Sequence, residues 1–168
     1  QQGLFVHFGE LISGQLFVGD NVNLSINKSI RNAIKKNHSA THLLHAALRN
    51  HLGNHVAQRG SLVNDEKLRF DFSHNKQITK YHIDEIQNEV NSIISHSFET
   101  NISIKSQEEA IRQGAIALFG EKYGDEVRVV SLGTKDNKPY SIELCGGTHV
   151  DNVKDIIKFK IMSEESVS

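Results

Sequence analysis

Apolar residues recur at helical steps between Ser29 and about Leu52. Ile30, Ile34, Thr41, Leu44, Leu48 and Leu52 fall on one face at roughly 100° per residue, which predicts one long amphipathic helix ended near Gly53. A second stripe, Ile83, Ile86, Val90 and Ile93, predicts a helix with Thr79 and Lys80 near its start. Between them the pattern changes to strict alternation. Leu68, Phe70 and Phe72 are separated by Arg69 and Asp71, the signature of a strand with one inward face. Ile102 and Ile104 suggest another strand. Ser106 with Glu109 three residues on has the form of a capping box opening a short helix through Arg112. Three strands are expected after that: Val127–Leu132, Tyr140–Leu144 and one carrying Ile157, Phe159 and Ile161.

The first 27 residues read differently. Gly3 to Phe8 is apolar, Val22, Leu24 and Ile26 alternate with polar neighbours, and Gly9, Gly14 and Gly19-Asp20 punctuate turns. These are short strands, too few for a domain of their own. The expectation is an α+β fold: an antiparallel-type sheet with a long helix packed on it, preceded by the remnant of a small β-barrel. Residues 1–27 would be that remnant and 28–168 the main domain.

Composition narrows the class. At 168 residues the chain is long enough for a real core, and its net charge of −1 offers no global basic field for nucleic acid. RNA contact would need a local patch, for which Arg31, Lys35, Lys36, Lys158 and Lys160 are candidates; clusters of this size equally form ordinary solvated faces. A single cysteine excludes an internal disulfide and points to a reducing, cytoplasmic setting. No secretory pattern and no apolar run near the ~20 residues of a membrane span is found. Phosphate-loop, dinucleotide and nucleophile-elbow motifs are absent.

The chemistry gathers in two blocks. His38 and His42 stand four apart in NHSATHLLHAALR, and Cys145 and His149 four apart in ELCGGTHV. On a helix the first pair shares a face, so both imidazoles can point at one spot. Three His and one Cys form a plausible tetrahedral zinc set with N and S ligands. The spacing alone leaves a second reading open, because ten His make four-apart pairs unsurprising. On the helix, His38 and His42 sit on the shoulder of the apolar face. That suits a site at the rim of the core, and suits two satisfied interfacial histidines as well. His45, His51 and His55 are read as surface or capping residues. Glu143, two before Cys145, can face the same site from its strand and is given little weight.

NHSATHLLHAALR, HVAQRGSLV, ALFGEKYGDEVRVV and SIELCGGTHVDNV, in that order, closely resemble the editing domain of alanyl-tRNA synthetases over roughly residues 20–160. Threonyl-tRNA synthetases carry a related domain, and free-standing deacylases share the fold; the CGGTH form here is similar to the alanyl type. The resemblance implies zinc ligands at His38, His42, Cys145 and His149. It implies pocket roles for Gln58 and Thr41, which otherwise read as a surface amide and a helix packing residue. It further implies hydrolysis of seryl or glycyl esters from mischarged tRNA(Ala), with the acceptor end and the other domains of a parent synthetase as partners. The aminoacylation motifs of a full synthetase are not found, so an excised domain is expected. A non-catalytic, zinc-stabilised module that holds the tRNA acceptor end is the competing reading.

Overall fold

The computed structural model describes residues 6–117 and 124–166. Three α-helices, five strands and one short 3₁₀ turn are built from them. Helix α1 spans Lys28–Leu52; Asn27 caps it by accepting from the Ile30 N–H at 3.1 Å, and Gly53, at φ 114°, closes it. Strands β1 (Gln58–Val63) and β2 (Leu68–Phe72) form an antiparallel hairpin. Helix α2 spans Lys80–Ser95 behind the Thr79 cap, whose hydroxyl accepts from the His82 N–H. Strand β3 (Asn101–Ser106) leads directly into α3 (Gln107–Arg112), where the expected Ser106 cap accepts from the Glu109 N–H at 3.2 Å. Strands β4 (Glu126–Lys135) and β5 (Lys138–Leu144) complete a three-stranded antiparallel sheet in the order β3-β4-β5. The β4–β5 turn uses Asp136 and Asn137, both at positive φ (53° and 61°), the two-residue turn whose twist matches the strands it joins.

Both faces of that sheet are covered. Val130 and Leu132 join Leu43, Ala47, Leu48, Ile86 and Val90 in the main core under α1 and α2. Val127, Val129 and Leu144 pack on the opposite side with Ala110 and Ala115. Register pairs Val130 with Glu143 and Leu132 with Ser141, so the polar side chains of β5 share the face that looks at α1. Glu89 of α2 ties the layers together. Its carboxylate accepts from Asn50 Nδ2 (2.8 Å), Tyr140 Oη (3.0 Å) and Lys135 Nζ (3.1 Å), and lies 2.7 Å from His51 Nε2. Burial would raise its pKa, and these donors together hold it below the ordinary value.

The α+β class stands, with two regions differing from expectation. Residues 6–27 form no strand and lie exposed, so the alternation at Val22, Leu24 and Ile26 finds no neighbouring strand to bond with among the described residues. Residues 3–5 of the first apolar stretch lie outside the described residues, as do 118–123 within the ALFGEKYGDEVRVV motif. At the far end, Ile157–Ile161 is not a strand either. Ile157 takes φ 76° and is 73% exposed, which breaks the run after the 3₁₀ turn Val153–Ile156. Phe159 still points inward, but side chains replace the ladder: Asn91 bonds both Phe159 N (2.9 Å) and Phe159 O (2.8 Å), and Gln87 accepts from Ile161 N.

Candidate metal centre

Helix α1 carries its histidines deeper than the apolar stripe suggested. From Ser39 to His45 all residues are buried, because α2, the β1–β2 hairpin and β5 close on different sides of the helix. His42, expected on the shoulder with His38, is 4% exposed and lies in the interior, while His38 is half-buried; Thr41 is buried as its place on the apolar face implies. His45 is 1% exposed and is no surface residue. Opposite this stretch, β5 ends at Leu144 and hands over to the Cys145-Gly146-Gly147 loop. Arg128 of β4 secures that loop: one guanidinium nitrogen donates to Cys145 O (2.7 Å) and Gly147 O (2.8 Å), while the Cys145 N–H donates to Arg128 O.

The two blocks meet. One donor atom from each of His38, His42, Cys145 and His149 lies within 4.8 Å of every other. Cys145 Sγ is 3.6 Å from His38 Nε2 and 3.5 Å from His149 Nε2. Bonds of about 2.05 and 2.3 Å at a tetrahedral angle would separate N and S by about 3.6 Å. The donor set therefore fits a metal ion. Ser39 Oγ lies 3.1 Å from His149 Nδ1 and accepts from the Val150 N–H, so it orients the ligand ring from behind. Gly147 passes so close to His38 that a Cβ there would stand 2.6 Å from His38 Nδ1, with ring Cε1 nearer still. Only glycine allows the loop to close over that ring.

Electrostatics favour neutral ligands. Burial, then the neighbouring His42, lowers the His38 pKa to about 4. Burial and then His42 and His38 bring His149 down to about 2. His42 is also lowered, chiefly by burial, against the pull of Glu143. Neutral imidazoles are the form that binds a metal. The Glu143 carboxylate, 3% exposed, stands at the base of the cluster with Oε1 3.0 Å from His45 Nδ1 and Oε2 3.6 Å from His42 Nδ1. Burial alone would raise its pKa; His42, His45 and Ser141 together hold it low.

A cleft of about 270 Å³ opens beside the four donors, lined by His38, His42, Thr41, Gln58, Ser61, Glu143 and the Cys145–Gly147 loop. Gln58 reaches it because a bulge between Gln58 and Gly60 shifts the start of β1. Its Nε2 lies 3.4 Å from Ser61 Oγ. Thr41 Oγ1 donates to Asn37 O at 2.9 Å, leaving lone pairs to accept. Asn37 in turn donates to Asn64 O in the β1–β2 turn, which seats the hairpin on the histidine helix. All six sequence-selected residues thus line one cluster and its cleft. Glu143, given little weight from its strand position, borders the cleft, and His45 is the addition. The signal for Glu143 is its place on β5 two residues before Cys145; nothing in the spacing of His45 marks it as buried beside a carboxylate.

Residues 127–168 match the family described as the threonyl and alanyl tRNA synthetase second additional domain. Over 98% of its length the chain is 53% identical to an alanine–tRNA ligase of Parvibaculum lavamentivorans and 52% identical to one of Hyphomonas neptunium. Over 99% it is 50% identical to one of Mesorhizobium japonicum. In each case it spans 19% of the relative's length. No helix among the described residues is long and apolar enough to cross a membrane.

Proposed function

We propose that this chain, a stretch of the alanine–tRNA ligase family, is a hydrolytic editing site that removes serine or glycine from mischarged tRNA(Ala). One observation carries the reading: the His38, His42, Cys145 and His149 donors converge beside a cleft furnished with Gln58 and Thr41. We assign the metal as zinc, since soft sulfur with three imidazoles suits it among the common ions. When bound, zinc supplies a Lewis acid and lowers the pKa of a bound water. The reducing cytoplasm, where aminoacylation substrates would be met, suits a lone cysteine kept for metal.

The selectivity logic lies in the chain's own polar atoms. A synthetic pocket for alanine cannot exclude glycine by size and rejects serine weakly, so a second site must sort the products. In this cleft the Gln58 amide can donate to the serine hydroxyl while Thr41 Oγ1 accepts its proton. A correct alanyl ester would bring a methyl group against both, leaving the buried Thr41 acceptor unpaired at roughly 1–3 kcal/mol and the half-buried Gln58 amide at less. The cleft lies just below the ~300–1,000 Å³ of ordinary ligand pockets, room for an aminoacyl terminus rather than a nucleotide run.

A closed set of four protein ligands is also the form of structural sites, and this favours a second reading, a metal-stabilised module that only holds the acceptor end. Deacylation of seryl-, glycyl- and alanyl-tRNA(Ala) by the purified chain separates them. Hydrolysis of the first two with alanyl ester spared supports editing. Rates equal to spontaneous hydrolysis at high protein concentration would leave the holding module, and equal rates on seryl and alanyl esters would overturn the specificity.

A further inference from the structure

Among the described residues, Glu143 is the most deeply buried acidic side chain that the metal reading leaves without a role. It projects from β5, two residues before Cys145, toward the middle of α1. Its two oxygens are divided between two imidazoles one helical turn apart but not themselves a metal pair. Oε1 is 3.0 Å from His45 Nδ1, and Oε2 is 3.6 Å from His42 Nδ1. His42 Nδ1 is fully buried and has no hydrogen-bond partner at this separation. A ring with Nδ1 turned to a carboxylate has Nε2 left to present to the cluster. Ser141 Oγ, 3.5 Å from Oε1, and His45, its ring tilted against Phe70 at 5.2 Å, fix the carboxylate from the other side.

We propose that Glu143 is a positioning residue: through His42 Nδ1 it sets the tautomer and orientation of that ligand ring, and His45 is the strut that aims Glu143. The inference rests on the four-residue metal reading above. Its chemical basis is general. A ligating imidazole that donates its second N–H to a carboxylate is held in one tautomer and made more basic, and loss of such a partner weakens metal binding about 10–100-fold. The 3.6 Å gap is one that a small ring rotation closes when Nε2 is drawn onto an ion. Glu143 also borders the cleft, so direct contact with substrate is the rival role.

The test is the zinc dissociation constant, measured by competition with a chromophoric chelator, for the wild type and for Glu143→Ala, Glu143→Gln, His45→Phe and Cys145→Ala. Far-UV circular dichroism establishes that each variant is folded. Glu143→Ala should weaken zinc about 10–100-fold, and Glu143→Gln, whose carbonyl still accepts from one imidazole, by less. His45→Phe, which keeps the packing on Phe70 but removes the strut, should weaken it severalfold. Cobalt-substituted Glu143→Gln should show altered d–d absorption, a change that loss of substrate contact would not produce. Zinc affinities for Glu143→Gln and His45→Phe within twofold of wild type, with an unchanged cobalt spectrum, would overturn the proposal even if Glu143→Ala failed to fold. A fall in seryl-tRNA hydrolysis alone would assign Glu143 to the substrate. Cys145→Ala separates the two levels: if it too retains wild-type affinity, the four-residue metal reading fails rather than the role of Glu143.

Discussion

The ten histidines of this chain divide by what each ring nitrogen meets. His38 and His149 bring Nε2 to Cys145 Sγ, whereas His55 meets only His74, stacked and exposed on the surface. Spacing made the donor set legible: His38 and His42 share a helix face, and Cys145 and His149 meet them from the loop after β5. It could not separate His45 from a surface residue, since burial of that ring depends on an acidic partner 98 positions away. Gly147 is the residue whose identity the cluster tolerates least. Gly147→Ala would drive a Cβ into His38, so stoichiometric zinc should drop severalfold by metal analysis with the far-UV spectrum unchanged. Gln58 stands at the opposite extreme. Gln58→Ala should cut seryl-tRNA turnover by roughly 10-fold or more, about the worth of one hydrogen bond to substrate, while zinc content and Tm stay within error. Wild-type turnover in that variant would return Gln58 to the surface.

At the scale of elements, both long helices and the β2, β3, β4 and β5 strands are readable from periodicity, and two helix starts from Thr79 and Ser106 chemistry, whereas the Asn27 cap of α1 is not. Where reading failed, the missing information was a partner. Val22–Ile26 alternates correctly but has no strand beside it among the described residues, and Ile157–Ile161 is fastened by Asn91 and Gln87 instead of a ladder. The β1 strand leaves no periodic signal because Gln58–Val63 alternates poorly around its bulge. The middle of α1 shows the same limit from the other side: elements packed around it bury residues that amphipathicity assigns to a boundary. Gly133 tests how tightly these layers fit. At φ 67° its missing side chain leaves space that Ile93 Cγ2 occupies, 2.6 Å from where a Cβ would be. Gly133→Ala combines overpacking with a left-handed backbone and should cost about 2–4 kcal/mol in chemical denaturation. A change below 0.5 kcal/mol would mean that α2 and β4 are looser than the structure describes.

For the molecule as a whole, charge and protonation set the working conditions. His38, His42 and His149 have folded pKa values below the ordinary 6.5, so the unfolded chain binds more protons than the folded one in the interval beneath that value. Stability of the chelator-treated protein should therefore be fully present above pH 6.5 and be lost progressively as pH falls toward about 4, where His38 begins to protonate in the fold. Urea midpoints measured across that range check the sign; a midpoint that rises on acidification would contradict the burial of these rings. A net charge of −1 also predicts weak capture of tRNA. Editing rate should rise linearly with enzyme concentration and fall with added salt as the few phosphate contacts are screened. Saturation at low concentration, insensitive to salt, would point to a recognition surface beyond the local basic residues.

The two arms of the metal cluster lie 107 positions apart in the chain, His38 on the first helix and Cys145 after the last strand. During synthesis this separation becomes time. At about 5–20 residues per second, the histidine helix leaves the ribosome roughly 5–20 s before the cysteine loop exists to meet it. Through that interval the helix can bind an ion through at most two imidazoles, a grip too loose to discriminate among divalent ions by geometry. Selection of a metal would then fall to the closing step of folding, when the sulfur arrives and the ion that stayed would be the one a thiolate prefers.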